Sequence, residues 1–294
     1  MLFLKKEYAK IIRELKDQTR LNWVQIAKEL KVTKGMVSFH LHGKCKIPLE
    51  KLEILCELAG QPADFPENYF VEETLNVEKT VRRPELDESL SEFLGILAGD
   101  GCLTSEGFAT IITCSRIFDN EYIQTFVSPL AERLFGIRPN IYTQHNVIRC
   151  RVYSKQLWTF LQTEYNIPAG EKYGALQIPV QIRQNPVFLK AFLRGLLDTD
   201  GGFFRHHERS AMLQYCSKSD RFRQQVFDAL KEMGFRPSLN GNNIFICDRA
   251  CIERFFQEIG SNNPRNLNRW RAYQETGVVP LQRDLARQMV AAHS

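Results

Sequence analysis

Two aspartates stand at the same point of two similar segments one hundred residues apart. The first segment is Phe93-Leu94-Gly95-Ile96-Leu97-Ala98-Gly99-Asp100-Gly101-Cys102-Leu103. The second is Leu193-Arg194-Gly195-Leu196-Leu197-Asp198-Thr199-Asp200-Gly201-Gly202-Phe203. Each reads as an apolar helix with small residues four apart, Gly95/Gly99 and Gly195/Thr199, that ends in Asp-Gly. A carboxylate at a helix C-terminus opposes the macrodipole at a local cost of ~0.3–1 kcal/mol. One Asp-Gly is an ordinary helix-ending turn. Two in register call for a partner that offsets the cost twice. A shared divalent-cation site meets that need, because Mg²⁺ takes one or two carboxylates together with phosphate oxygens and water. Asp198 has Ala98 as its counterpart and is expected to be a supporting or solvent-facing residue.

The elements that must position these acids also repeat. Small residues at i and i+4 share one helix face and let two backbones approach closely, so the two helices are expected to pack about a pseudo-twofold axis. A strand follows each (Ile111–Ser115 and Met212–Ser217), then an amphipathic helix (Asn120–Phe135 and Asp220–Met233). Next come Gly136-Ile137-Arg138-Pro139 and Gly234-Phe235-Arg236-Pro237. A strand (Val147–Tyr153 and Asn243–Cys247) and a last helix (Gln156–Tyr165 and Ala250–Ile259) close each half. The expected fold class is therefore α+β, a duplicated helix-strand-strand-helix-strand-strand-helix unit.

Ahead of the repeat, four short helices are expected. Residues 5–16 carry Tyr8, Ile11, Ile12 and Leu15 at helical spacing; Asn22 caps Trp23–Leu30; Thr33 caps a helix through Leu41; Pro48 precedes Leu49–Ala59, which Gly60 ends. The tight turn between the second and third makes a helix-turn-helix arrangement, with the third helix entering a DNA major groove. Lys34, Ser38 and His40 are the side chains expected near bases or phosphates. Lys44 and Lys46 add to a stretch, residues 31–49, that holds four lysines and no acid.

The chain has 294 residues and a net charge of +5 that is unevenly spread: +4 over residues 1–64, −4 over 65–88 and +5 over 89–294. Two polyanion-facing modules joined by an acidic linker fit this distribution. With 44% hydrophobic residues the chain has material for a core, which excludes wholesale disorder. It has no spanning apolar run, and its N-terminus is unlike a signal peptide, so no membrane partner and a cytoplasmic location are expected. Eight scattered cysteines without a CxxC pair read as reduced, buried thiols. Met1 at the start and His293-Ser294 at the end, without a terminal Asn, argue against a self-splicing element.

Residues 89–270 resemble a two-motif, monomeric LAGLIDADG (DOD-type) homing endonuclease, on Gly95–Gly101 and Gly195–Gly201 as signature helices. Gly170-Glu171-Lys172, Ile178-Pro179 and Ile259-Gly260-Ser261-Asn262-Asn263-Pro264 agree with the same family. Residues 1–64 resemble the repressor-type helix-turn-helix family, on Leu21–Leu30, Lys31-Val32-Thr33 and Val37-Ser38. Lys31 stands where that family usually has Gly, which makes the turn strained. The first resemblance implies two four-stranded antiparallel sheets that form a saddle on double-stranded DNA, and an internal pseudo-dimer in one chain. It implies Mg²⁺ (or Mn²⁺) on Asp100 and Asp200, assistance from Lys172, and cleavage of one strand by each half. Lys172 has no clear counterpart in the second half, where Arg265 and Asn266 stand. On the sheets, Arg116, Gln144, His145, Arg149, Arg151, Arg205, His206, Arg209, Gln214 and Lys218 are expected to read bases or hold phosphates. The implied domains are the helix-turn-helix at 1–64, a linker at 65–88, repeats at 89–170 and 171–270, and a tail at 271–294 with a short helix at Gln282–Val290. A WhiA-type DNA-binding regulator and an intron-RNA maturase are the alternatives on the same fold.

Overall fold

The computed structural model describes residues 2–72, 81–207 and 210–281, with the side chains of Val71 and Glu72 excepted. The chain divides into two compact units, Met1–Glu78 and Lys79–Ser294.

The first unit contains β1 (Leu2–Leu4), α1 (Ala9–Thr19), α2 (Trp23–Glu29), α3 (Lys34–Leu41), β2 (Ile47–Pro48), α4 (Leu49–Ala59) and β3 (Phe70–Glu72). Asn22 opens α2 with a capping box: its side chain accepts from the Val24 and Gln25 amides, and the Gln25 side chain accepts from the Asn22 amide. Thr33 accepts from the Met36 amide and opens α3. Leu15, Ile26, Leu30, Val37, Leu52 and Leu55 meet in the core. The small sheet, in which β1 lies between β2 and β3, was not among the sequence expectations, because strands of two or three residues leave no periodicity to read. It also moves a boundary. Phe70 pairs with Leu4, Tyr69 stacks on Tyr8 at 3.9 Å, and Phe65 packs on the same core, so residues 65–72 belong to this unit and not to a linker.

The second unit runs α5 (Glu88–Asp100), β4 (Gly101–Leu103), β5 (Ala109–Ser115), α6 (Arg116–Tyr122), one π turn (Ile123–Val127), α7 (Ser128–Phe135), β6 (Asn140–Gln144), β7 (Val147–Tyr153) and α8 (Lys155–Tyr165). It continues with α9 (Val180–Arg183), α10 (Pro186–Asp200), β8 (Gly201–His207), β9 (Ser210–Cys216), α11 (Asp220–Glu232), β10 (Ser238–Asn240), β11 (Asn243–Ile246), α12 (Arg249–Glu258) and α13 (Pro264–Thr276). The fold is α+β. Two antiparallel four-stranded sheets have the orders β4-β5-β7-β6 and β8-β9-β11-β10, so the second repeats the first. Alternate strand residues such as Ile112, Ile148, Leu213 and Ile244 face one core shared with the helices.

Three expectations change here. Val81 is buried in this core and the Arg82 amide donates to the Phe135 carbonyl (3.0 Å), so the end of the expected linker is structured. The boundary at residue 270 falls inside α13, which Asn263 caps and whose Arg269 and Tyr273 are buried, so no tail begins at 271. The expected helix at Gln282–Val290 lies outside the described residues. Among the thiols, Cys56, Cys114, Cys150 and Cys251 are buried, whereas Cys216 and Cys247 are exposed.

The pairing of α5 with α10 rests on glycine. A Cβ on Gly95 would fall on the Phe192 carbonyl and lie 2.9 Å from its carbon; a Cβ on Gly195 would fall on the Glu92 carbonyl and lie 2.9 Å from the Ile96 amide. Each contact is the other moved by one hundred residues, as a pseudo-twofold axis requires. Gly99 meets Thr199 side chain to backbone in the same way. Substituting Gly195 with Ala should therefore destabilise the second unit by ~1–3 kcal/mol. Thermal denaturation would show this as a fall of ~2–4 °C for each kcal/mol. In the first unit, Lys31 adopts φ +51° in the turn between α2 and α3. An L side chain in that region costs ~1–2 kcal/mol, so Lys31→Gly should raise the stability of this unit in chemical denaturation.

Candidate active site

Each Asp-Gly pair joins a helix directly to a strand. Gly101 and Gly201 are extended (φ −95° and −126°), so neither glycine serves a left-handed turn. They are needed for close approach: a Cβ on Gly201 would lie 2.8 Å from both the Gln214 carbonyl and Leu197 Cδ1, and one on Gly101 would meet Leu97. Asp100 and Asp200 are thereby fixed at the ends of two touching helices, at the first residues of the two sheets.

Both carboxyls are half-buried among charges. Burial, and next the charge of Asp200, push the Asp100 carboxyl up to about 7, while the Cys114 thiol and Lys172 pull it the other way. Burial pushes the Asp200 carboxyl up to about 6 against the pull of Lys172. The Cys114 thiol donates to Asp100 Oδ2 at 3.4 Å. Lys172 Nζ donates to the carbonyls of Ala98 (2.8 Å), Gly101 (2.9 Å) and Gly99, at the C-terminal end of α5. Burial lowers its pKa, opposed by Asp200 and Asp100. Its cation offsets the negative end of α5 and lies within the field of both acids.

The second half has a match that the sequence left open. Arg265 Nη2 donates to the Gly201 carbonyl (3.3 Å), the position that corresponds to the Gly101 carbonyl under Lys172. Arg265 also pairs with Asp119 (3.3 Å), so part of its charge is already neutralised. Asn266 takes a structural role: its Oδ1 accepts from the Phe203 amide and its Nδ2 donates to Asp198.

Asp198 is not solvent-facing. It is buried and accepts from the Ser261 hydroxyl, the Asn262 amide (2.7 Å), the Asn263 amide (3.1 Å) and Asn266 Nδ2 (3.1 Å). Asn263 Nδ2 donates to Asp119 Oδ1 (2.8 Å), Asn262 Nδ2 donates to Glu92 Oε1 (2.6 Å), and Glu92 Oε2 pairs with Arg194 (2.7 Å). Burial raises the Asp198 carboxyl to about 6 even against these donors.

Other expected site residues separate. On the first sheet, Gln144, Arg149 and Arg151 share the open face with Tyr142 and Tyr153, while Ile148, Cys150 and Val152 face the core. Arg116 is exposed at the first turn of α6, and His145 sits at φ +53° in the β6–β7 turn. On the second sheet, Gln214 is on the open face and His206 and Lys218 are exposed. Arg205 does not join them: it pairs with Ala211 in register on the core side, and its Nε donates to the Val279 carbonyl (2.8 Å). Arg209 lies outside the described residues. In the first unit, Lys34, Ser38 and Lys44 are exposed and Lys46 is half-buried. His40 is buried, with Nδ1 against the Cys45 carbonyl (3.3 Å), and burial lowers its pKa. The helix period places it beside Val37 and Leu41 on the inner face, and His42 is the exposed histidine.

No group of three or more His, Cys, Asp or Glu with metal-binding geometry occurs among the described residues. No described helix is long and apolar enough to cross a membrane.

Residues 188–260 match the model of a LAGLIDADG-like domain. That stretch covers most of α10 and continues through α12. Among curated proteins, the chain is 31% identical over 126 residues to one of the subunits of the A-type ATP synthase of Pyrococcus abyssi, which is 42% of this chain and 12% of that protein. It is 26% identical over 258 residues to the replication factor C small subunit of Methanocaldococcus jannaschii, 83% of this chain and 13% of that protein. The chain thus spans about an eighth of the length of the curated relatives it matches. Among solved structures, variants of the homing endonuclease I-DmoI align at 17% identity and a TM-score of 0.43, over 59% of this chain and 96% of theirs. The meganuclease I-SmaMI bound to uncleavable DNA aligns at 9% and 0.44, over 67% of this chain and 90% of its own.

The raised acid pKa values carry a stability consequence. A carboxyl whose folded pKa lies near 7, against an ordinary 3.8, costs nothing below about pH 4 and its full penalty above about pH 7. Metal-free Asp100→Asn should therefore melt higher than the parent at ~pH 8, with the gap closing as the pH falls towards ~4. A melting series in chelator checks this; a gap independent of pH would contradict it.

Proposed function

We propose that the second unit is a divalent-metal-dependent DNA endonuclease of the LAGLIDADG homing type, with Asp100 and Asp200 as its metal-holding acids. The observation that carries the reading is the convergence of these two carboxyls, from two copies of one motif, at the ends of a tightly packed helix pair. The LAGLIDADG-like match over 188–260 includes Asp200, and the internal repeat extends the same pattern to Asp100.

The donor set fits Mg²⁺ or Mn²⁺. Two carboxylate ligands leave coordination positions for water and phosphate oxygens, as Mg²⁺ requires. Burial beside a like charge makes both carboxylates costly without a counter-cation. Such an ion, when bound, lowers the pKa of water and stabilises a leaving oxygen. The chain's own residues do the rest. Gly95, Gly195 and the Gly99–Thr199 contact hold the acids at a fixed spacing, while Lys172 and Arg265 brace the two Asp-Gly junctions and add positive charge towards a phosphate backbone. Cys114 orients Asp100 by its hydrogen bond.

Double-stranded DNA is the proposed substrate, bound along the open sheet faces by one chain acting as an internal pseudo-dimer. For the first unit, we read α3 as a DNA-contacting helix of helix-turn-helix type. Its Thr33 cap leaves Lys34 and Ser38 exposed together, with Lys44 nearby over the Phe39 ring at 5.7 Å.

The test is incubation of the full chain with a randomised duplex library and Mg²⁺. Cleaved products are expected from the parent, and Asp100→Asn or Asp200→Asn should lower the rate about a hundredfold or more. Mg²⁺ should also raise the melting temperature of the parent and not of the double variant. Cleavage that persists in both variants would overturn the metal site. Tight duplex binding without cleavage would favour a WhiA-type regulator, and preference for structured RNA a maturase.

A further inference from the structure

The two sheets repeat each other in topology and differ in chemistry on their open faces. In the first, alternation along β7 sends Arg149 and Arg151 outward from an inner strand, with Tyr142 and Gln144 beside them on β6. The Arg151 guanidinium lies 4.6 Å from the Tyr142 ring centre and 4.5 Å from that of Tyr153. Arg149 donates to Gln144 Oε1 and lies 5.9 Å from the Tyr142 ring. The buried Nε of Arg151 has no hydrogen-bond partner among the described residues. Stacking and the Gln144 bond restrict both side chains before any ligand arrives. Less rotamer entropy is then lost on binding, and the planar donor forks are ready for a bidentate acceptor.

In the second sheet, the equivalent inner strands β9 and β11 present Met212, Gln214, Asn243 and Phe245 outward. None of these is charged. Gln214 Nε2 donates to Asn243 Oδ1 at 2.9 Å, so the two amides stand side by side and face the same way as the Phe245 ring.

These two sets correspond to different base edges in the major groove. Arginine pairs bidentately with O6 and N7 of guanine; glutamine and asparagine pair with N6 and N7 of adenine; apolar side chains pack on the thymine methyl group. We propose that the two sheets read half-sites of opposite composition, G·C pairs against Arg149 and Arg151, and A·T pairs against Gln214, Asn243 and Phe245. The inference rests on the duplex-DNA reading above and adds its specificity. All four polar readers stand on inner strands, at the middle of their faces, where base edges rather than the flanking phosphates would lie.

The experiment is selection of duplexes by the full chain from a random library, in chelator so that bound DNA is retained uncut, followed by sequencing. Guanine-rich positions are expected in one half-site and A·T positions in the other. Arg149→Gln with Arg151→Gln should cut guanine enrichment about tenfold or more per position and leave the A·T half unchanged. Gln214→Ala with Asn243→Ala should do the converse. Arg151→Lys keeps the charge and loses the fork, so it should lose guanine preference at its position while the salt dependence of binding is retained; a melting curve matched to the parent confirms its fold. Weakening that is uniform across sequences, or two half-sites of the same composition, would overturn the inference and leave the duplex reading standing. Failure to retain any duplex would overturn the duplex reading itself, and the inference with it.

Discussion

The architecture of the second unit depends on how closely α5 and α10 approach. Two helices carrying ordinary side chains pack at ~8–10 Å between axes. Here, glycine at 95 and 195 brings each helix onto the carbonyl groups of the other. Everything that follows in each repeat starts from this contact, because each helix passes without a turn into the first strand of its sheet. The relation between the two sheets, and the distance between the two acids, are therefore set by the helix seam. The same closeness creates the electrostatic difficulty. Two half-buried carboxyls at the negative ends of two helices favour the neutral form or a cation between them. Packing and chemistry are the same constraint seen from two sides.

A second layer of contacts keeps that seam from opening. Glu92 on α5 pairs with Arg194 on α10 and accepts from Asn262, while Asp119 on α6 is held by Asn263 and Arg265. The segment 261–265 thus ties the first repeat to the second. Asp198, two residues before Asp200, anchors that segment and Asn266 by four hydrogen bonds. A buried acid with so many donors is retained only if the donors are equally committed to it, since removing either side leaves a buried polar group unpaired. This explains why the start of α13 is so polar and yet so buried.

Much of this was legible in the sequence, and the pattern of what was not is physical. The repeat, the two acids, the small residues at 95, 99, 195 and 199, and the Asn22 and Thr33 caps are local features, readable from spacing alone. The placement of Asp198 was not, because its partners lie more than sixty residues away at Ser261–Asn266 and no local rule links them. His40 and Arg205 were expected outward on residue type. Phase along the element decides instead: His40 falls on the Val37–Leu41 face and Arg205 on the Phe203 side of β8. The equivalence of Arg265 with Lys172 has no local signature either, since it lies only in the shared contact with the carbonyls of Gly201 and Gly101.

Duplication within one chain frees the halves from identity, and the structure shows where that freedom has been used. The seam residues stay small in both halves because each packs on the other, and a change in one has to be met by its partner. The sheet faces show no such coupling: the ring contacts of Arg151 are with Tyr142 and Tyr153 of its own sheet. Strand β7 accordingly turns two arginines outward, whereas β9 and β11 turn amides outward. Between these extremes lie Lys172 and Arg265, which meet equivalent carbonyls with different groups. Lys172 keeps its charge within reach of both acids, whereas Arg265 shares its own with Asp119. Divergence is thus restrained where the two helices touch through Gly95 and Gly195, and even on these helices Ala98 has Asp198, and Glu92 has Phe192, as counterpart.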